Sequence, residues 1–279
     1  MKGKTVVVSG GTSGIGEVAA EELARLGARI VLVARSPFRA DPVMGRLALA
    51  NPDAAHAVHT ADLTRLSEMK RVAAEIAAAE PRIDVLINNA GAIFEKREET
   101  ADGLEATFAL NHMAYFVLTT GLLERLKATP GARIVSTASD AHKAGKLNFD
   151  DLQGVKRYSG GRAYANSKLC NILFTRELAR QLQGTGVTAN CLHPGFVATR
   201  FADNNDGLLG VIFGLLKKVF ALTPEAGAGT IVHLASSPEV EGQSGLYWYK
   251  CKPIAPTAAA EDAAAAKRLW EISEKLAYG

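Results

Sequence analysis

The chain has 279 residues, 48% of them hydrophobic and 22% charged, and its 32 basic and 29 acidic side chains leave a net charge of +3. A disordered chain would be more charged and less apolar, so a folded protein is expected, and 1–279 is read as one α/β domain. No block of like charges provides the concentrated basic surface that phosphate binding needs, which excludes a nucleic-acid partner.

Strands and helices alternate along the chain. An apolar, β-branched strand at 5–9 follows the first residues directly, with no apolar leader or cleavage site, so a cytoplasmic location is expected. A glycine-rich turn then opens a helix over 15–26. Strands at 30–34 and 57–60 follow, then helix 66–79, strand 85–88, helix 103–127, strand 133–136, helix 164–182 and strand 187–192. A weaker strand is expected at 245–249, and a closing amphipathic helix around Lys267-Arg268-Leu269-Trp270. Such alternation predicts a Rossmann-type, doubly wound parallel sheet with helices on both faces. The first two strands are apolar throughout, as burial on both faces requires.

Cys170, Cys191 and Cys251 are too scattered for a disulfide framework, and His56 and His59 have no third ligand nearby, so no metal is expected. The longest apolar run, 207–216, stops at Lys217 and Lys218, short of the ~20 residues of a membrane span. It suits a core helix, an oligomer contact or a peripheral membrane surface.

The first strand ends in Ser9-Gly10-Gly11-Thr12-Ser13-Gly14-Ile15-Gly16. Glycines allow a tight turn and close backbone approach to a pyrophosphate, at which the new helix aims its free N–H groups. A merely tight turn is the competing reading. The second strand ends in Ala34-Arg35, with no acidic residue for a ribose 2′-hydroxyl. A guanidinium there suits a 2′-phosphate, so NADP(H) is expected over NAD(H), unless Arg35 simply pairs with a surface carboxylate. After the third strand, Asp62-Leu63 offers an acceptor for an adenine amino group or a cap for the helix near Leu66. Asn88-Asn89-Ala90-Gly91 places two adjacent amides at a strand end, where buried amides need partners in the sheet or on a cofactor ribose.

Tyr164 and Lys168 stand four apart on one helix face. A free phenol has a pKa of ~10, and a lysine cation nearby favours the phenolate. Ser139, just past the fifth strand, suits either a substrate carbonyl oxygen or a turn. Asn111 interrupts an apolar helix, where asparagine is a poor choice without a polar task.

In order and together, these motifs resemble those of short-chain dehydrogenase/reductases of the classical type, across nearly the whole chain. The family's TGxxxGIG is similar to Ser9 to Gly16, with serine in the first place, and its NNAG to Asn88 to Gly91. Its Asn-Ser-Tyr-Lys tetrad maps to Asn111, Ser139, Tyr164 and Lys168, and its Pro-Gly segment to Pro194-Gly195. Ala138 replaces a serine often found before the catalytic one, leaving Ser139 as the candidate. The segment AYANSKLCNILFTRELARQLQGTGVTANCLHPGFVATR, with the Lys267–Trp270 tetrapeptide, resembles the retinol dehydrogenase-like branch more closely.

The resemblance implies hydride transfer between a nicotinamide and a carbonyl or alcohol carbon. Tyr164 would exchange the proton, Ser139 hold the oxygen, Lys168 lower the Tyr164 pKa and bind the nicotinamide ribose, and Asn111 hold a relay water. Pro194 and Gly195 would meet the nicotinamide carboxamide, with Val197 and Thr199 as further contacts. His193 reads as structural, since the tetrad already supplies an acid–base group. The resemblance also implies a variable substrate lid at about 200–222, and the expected substrate is a lipophilic aldehyde, ketone or alcohol entering beneath that apolar segment. A general carbonyl reductase, a pathway-specific ketoreductase, or an NADP(H)-binding regulatory or scaffold protein are the competing functions, and a homo-oligomer is expected from the family.

Overall fold

In the computed structural model, residues 1–195 and 223–279 are described. Their strands are β1 (Thr5–Ser9), β2 (Arg29–Ala34), β3 (Ala57–Thr60), β4 (Val85–Asn88), β5 (Arg133–Thr137), β6 (Thr188–Leu192), β7 (Tyr247–Tyr249) and β8 (Lys252–Ile254). One sheet joins them in the order β3-β2-β1-β4-β5-β6-β7-β8. All neighbours are parallel except β7 and β8. The chain therefore reverses its winding direction between β1 and β4, the place where a doubly wound sheet opens a crevice at its strand ends.

The helices are α1 (Gly14–Arg25), α2 (Pro37–Ala50), α3 (Leu66–Ala79), the short α4 (Ala106–Phe108), α5 (Ala114–Lys127), α6 (Gly160–Gln181), α7 (Pro224–Ser236), the short α8 (Ala258–Glu261) and α9 (Ala263–Tyr278). They cover both faces, and the strands divide their side chains accordingly. Val7, Val31, Leu86 and Ile134 pack with α3, α5, α6 and α9. Val6, Val8, Ile30, Leu32 and Val135 pack with α1, α2 and α7. On the first face Trp270 of α9 lies flat on Phe174 and edge-on to Phe116, which fixes the closing helix to α5 and α6. The stretch Ala106–Lys127 is long and apolar enough to cross a membrane, but 78% of its most apolar window is buried inside this fold.

Three elements differ from expectation. Helix α2 is an added element: it contains Pro37 and Pro42, yet Ala40, Val43 and Leu47 recur at helical spacing and are buried. Helix α7 is glycine-rich, but Thr223 accepts a hydrogen bond from the Ala226 N–H and Pro224 occupies the first position, both helix-start signals. Strand β7 gains an antiparallel partner, β8, through a turn at Lys250 and Cys251, both with positive φ.

At the opposite end of the sheet from the crevice, the buried carboxylate of Asp84 accepts from the Thr5 N–H at 2.9 Å and from Arg82, and pairs with Lys4 at 3.2 Å. Burial opposes its ionisation, but these partners hold its pKa below the ordinary carboxylate value. A depressed folded pKa contributes stability that is full above the unfolded value and disappears as pH falls through the folded one. Asp84→Ala is expected to lower unfolding free energy by about 2 kcal/mol at neutral pH, since Lys4 and Arg82 are too exposed to add much beyond the Thr5 bond. Urea titrations should show this difference at pH 7 and its disappearance in acid below the carboxylate range. A constant difference across that range would discount Asp84 as the titrating group.

Candidate active site

The glycine-rich turn leaves β1 with Gly10 and Gly14 at φ +68° and +59°, which admits the sharp entry into α1. A Cβ on Gly16 would lie 2.3 Å from Asn89 Nδ2 and 2.4 Å from the Gly10 carbonyl oxygen, and one on Gly10 would lie 2.7 Å from Ala90. Thus α1 begins pressed against the loop after β4. Ser9 locks this approach, because its hydroxyl oxygen accepts from the N–H groups of Asn89 (3.1 Å) and Ala90 (3.4 Å). Serine in the first motif position therefore ties the β1 turn to the second motif. Ser13 is the exposed N-cap of α1 and makes no side-chain cap bond, so the first-turn donors of α1 are left for an anion. These features fit the pyrophosphate of a dinucleotide.

Of the two adjacent amides, Asn88 donates to Thr119 at 2.9 Å inside the core. The Asn89 side chain donates to the Gly10 carbonyl at 3.1 Å and accepts from the Thr137 hydroxyl at 3.2 Å. Asn88 thus ties β4 to α5, Asn89 stitches the ends of β1, β4 and β5 together, and Gly91 carries the loop on toward Lys168. Arg35 is exposed at the end of β2 and forms no ion pair among the described residues, so the carboxylate-pairing alternative is not realised there. Asp62 does not cap α3. Its Oδ1 closes a local turn on the Thr64 N–H and hydroxyl, while Leu66 at the start of α3 donates to Asp102 from a loop 36 residues on. Leu63 beside it is buried.

Asn111 sits in a π turn, Ala109–Met113, rather than in the unbroken helix expected over 103–127. Buried Glu105 starts that helical stretch by accepting from the N–H groups of Thr107 (2.7 Å) and Phe108 (2.8 Å), with Tyr158 donating to the same carboxylate at 3.1 Å. The fully buried Asn111 amide then pairs both ways with the backbone of Ala92, at 2.9 Å each, and donates to the Ser167 hydroxyl at 3.0 Å. Its polar task is thus to hold the segment after β4 against α6. Backbone π turns of this kind accompany functional sites often enough to mark the place.

Helix α6 presents Tyr164 and Lys168 on one face. Lys168 is buried, and its ammonium donates to the Thr137 carbonyl at 3.0 Å, 5.6 Å from the Tyr164 ring centre and 5.8 Å from that of Tyr115. It also faces Gly91, where a Cβ would stand 3.6 Å from Nζ. Burial lowers the Lys168 pKa to about 7 and raises that of Tyr164 to about 12, the latter against an opposing hydrogen bond with Ser139. Burial is thus the leading cause for both groups, opposite in sign to the lowering of the phenol by Lys168 that the pair suggests. Ser139 accepts from the Ala141 N–H at 3.2 Å as N-cap of a 3₁₀ turn, Asp140–Ala144. The turn-starting reading is thus realised, and the capping bond uses the hydroxyl as an acceptor, leaving its proton for donation.

His193, after β6, stacks on Tyr249 with ring centres 4.1 Å apart and accepts from the Gly195 N–H at 3.3 Å, a structural arrangement. Pro194 and Gly195 are the last described residues of that segment. Val197, Thr199 and the apolar lid at 200–222 lie outside the described residues. Sequence reasoning missed Thr137, Ser167, Glu105 and Asp102. The first receives Lys168 on its backbone carbonyl, which has no sequence signature, while its hydroxyl serves Asn89.

A family model described as short chain dehydrogenase matches residues 4–207. Human retinol dehydrogenase 14 is 43% identical to this chain, over 99% of it and 87% of the human protein. Among solved structures, an uncharacterised protein from Mycobacterium paratuberculosis superposes with a TM-score of 0.79 at 31% identity, over 99% of this chain and 94% of its own. A putative NAD(P)-dependent gluconate 5-dehydrogenase from Beutenbergia cavernae, with bound NADP, superposes with a TM-score of 0.71 at 29% identity, over 90% of this chain and 96% of its own.

Proposed function

The chain belongs to the short-chain dehydrogenase family, in its retinol dehydrogenase-like branch, and on that premise we propose that it is an NADP(H)-dependent oxidoreductase interconverting a lipophilic aldehyde or ketone and the alcohol. The observation that carries this reading is the convergence of Tyr164, Ser139, Lys168 and Asn111 beside Gly91, at the strand ends that open beyond the α1 cradle. A bound nicotinamide dinucleotide supplies the hydride.

This chain's residues supply the rest. The N–H groups of the turn through Thr12, Ser13, Gly14, Ile15 and Gly16 hold the pyrophosphate, with Gly10 shaping the entry. The Asp62 carboxylate, whose Oδ2 has only the long 4.0 Å contact with Arg65 among the described residues, and the Leu63 backbone would meet the adenine. Asn89, Ala90 and Gly91 would line the ribose side, and Pro194 and Gly195, directly after β6, would meet the nicotinamide carboxamide. Ser139 donates to the substrate carbonyl oxygen, and Tyr164 delivers the proton that the developing alkoxide requires. A phenol held near 12 is protonated at neutral pH, the state that a reducing enzyme needs at the start of the step. Lys168, near 7, is poised to carry charge to the ribose hydroxyls and to reprotonate the phenol.

Arg35 decides the cofactor. In fluorescence titrations NADPH should bind more tightly than NADH, and Arg35→Ala should weaken NADPH roughly tenfold or more, the scale of a hydrogen-bonded charge pair, while leaving NADH unchanged. Equal weakening of both cofactors, or equal affinities in the wild type, would remove the 2′-phosphate assignment. Screening NADPH consumption over aliphatic and polyene aldehydes and short charged carbonyls then tests the substrate class. Turnover confined to the charged compounds would reject the lipophilic reading.

A further inference from the structure

Behind Lys168 a set of buried polar groups runs across the first core face to the closing helix. His112 in the π turn, Asn171 on α6 and Ser273 on α9 are all fully buried. His112 Nε2 lies 2.8 Å from the Ser273 hydroxyl. Asn171 donates through Nδ2 to the Thr137 carbonyl at 3.3 Å, the same oxygen that receives Lys168 Nζ at 3.0 Å and the Tyr115 hydroxyl at 3.4 Å. Two atoms in this set, His112 Nδ1 and Asn171 Oδ1, meet no geometric partner.

The direction of the chain follows from counting protons. Burial drives the His112 pKa down to about 3 against an opposing hydrogen bond with the Asn171 side chain, so the ring is neutral and carries one proton. If that proton were on Nε2, Nδ1 would be a bare lone pair beside Asn171, and Asn171 Oδ1 would be a second acceptor without a donor. With the proton on Nδ1, the ring donates to Asn171 Oδ1 and both atoms are satisfied at once. Nε2 then accepts from the Ser273 hydroxyl. That hydroxyl also lies 2.8 Å from the Leu269 carbonyl, but this oxygen has the Ser273 backbone N–H as its regular helical partner and does not need it.

We propose that Ser273, His112 and Asn171 form a directional hydrogen-bond chain, each donating toward the site, that ends on the Thr137 carbonyl and makes the closing helix a positioning element for Lys168. The proposal rests on the reading of Lys168 as a catalytic group. A carbonyl oxygen has two lone pairs and here faces three donors, so Lys168 shares Thr137 rather than owning it. Fixing the Asn171 carboxamide in one orientation keeps that competition in place and leaves ammonium protons directed toward Gly91 and the cofactor side. Without Ser273 the histidine loses its donor, the carboxamide is free to turn over, and Lys168 relaxes onto Thr137.

The first test needs no activity. The ring ¹⁵N shifts of His112 in the cofactor-free protein should show a protonated Nδ1 and an unprotonated Nε2, and the opposite tautomer overturns the chain. The second test is kinetic. Ser273→Ala should lower kcat for carbonyl reduction roughly three- to tenfold with the KM for NADPH within about twofold, and Ser273→Thr, which keeps the hydroxyl, should restore it. A folded Ser273→Ala protein with wild-type kcat overturns the positioning role. If the wild type reduces no carbonyl, the functional reading fails, and the tautomer still decides the chain.

Discussion

Tyr164→Phe is expected to reduce turnover by ~10²–10⁴-fold, the range for loss of a positioned general acid, while NADPH affinity stays within about twofold. The change removes one oxygen from a half-buried ring on α6, a helix held by the aromatic contacts of Phe174 and Trp270, so the fold should tolerate it. Single-turnover reduction at saturating NADPH measures the effect on chemistry, and fluorescence titration measures binding. Retention of full turnover would overturn the assignment of Tyr164 as the proton donor. Loss of both turnover and NADPH binding would instead show the ring to be part of the cofactor cradle.

The second large effect is at the cradle itself. Gly16→Ala would put a methyl group 2.3 Å from Asn89 Nδ2 and 2.4 Å from the Gly10 carbonyl oxygen. Neither can withdraw, because Asn89 is held by Gly10 and Thr137 while Gly10 is fixed by its own left-handed turn. The start of α1 must therefore move away from the loop after β4. The expected results are a loss of NADPH affinity of about a hundredfold and a stability cost at or above the ~1–3 kcal/mol typical of an overpacked core. Gly45→Ala in α2 is the control. Its added methyl group meets open space, and it should raise stability by about 0.5–1 kcal/mol without changing NADPH binding. Wild-type NADPH affinity in Gly16→Ala would show that the tight turn serves packing alone.

Both predictions use residues that stand out in the sequence, but their geometry comes from elsewhere in the chain. Gly16 is constrained by Asn89, 73 positions away, and the charge state of Tyr164 is governed by burial rather than by its i+4 neighbour. The phenol–ammonium pair alone suggests a depressed tyrosine pKa. In the folded protein both groups are pushed toward neutrality, because the same desolvation acts on an acid and a base in opposite directions. Asp62 gives a similar lesson. Its place before a helix makes it a natural cap, yet its side chain is committed to Thr64, and Asp102 reaches across from another loop to serve α3.

The sequence by itself determined the alternating strands and helices and the order of the motifs, because hydrophobic period, glycine placement and side-chain chemistry are local properties, and the candidate tetrad followed from the family resemblance that those motifs carry. It also carried the start signals of α7, in Thr223 and Pro224. Only the tertiary structure decided which polar groups meet. Asn111 reaches Ala92, Lys168 and Asn171 converge on a carbonyl of β5, and Ser273 comes to His112 from a helix 161 positions further along. A backbone oxygen has no sequence signature, and a buried side chain's partner is set by packing across the sheet. That is why the chemistry of the tetrad was legible in the chain while its support was not.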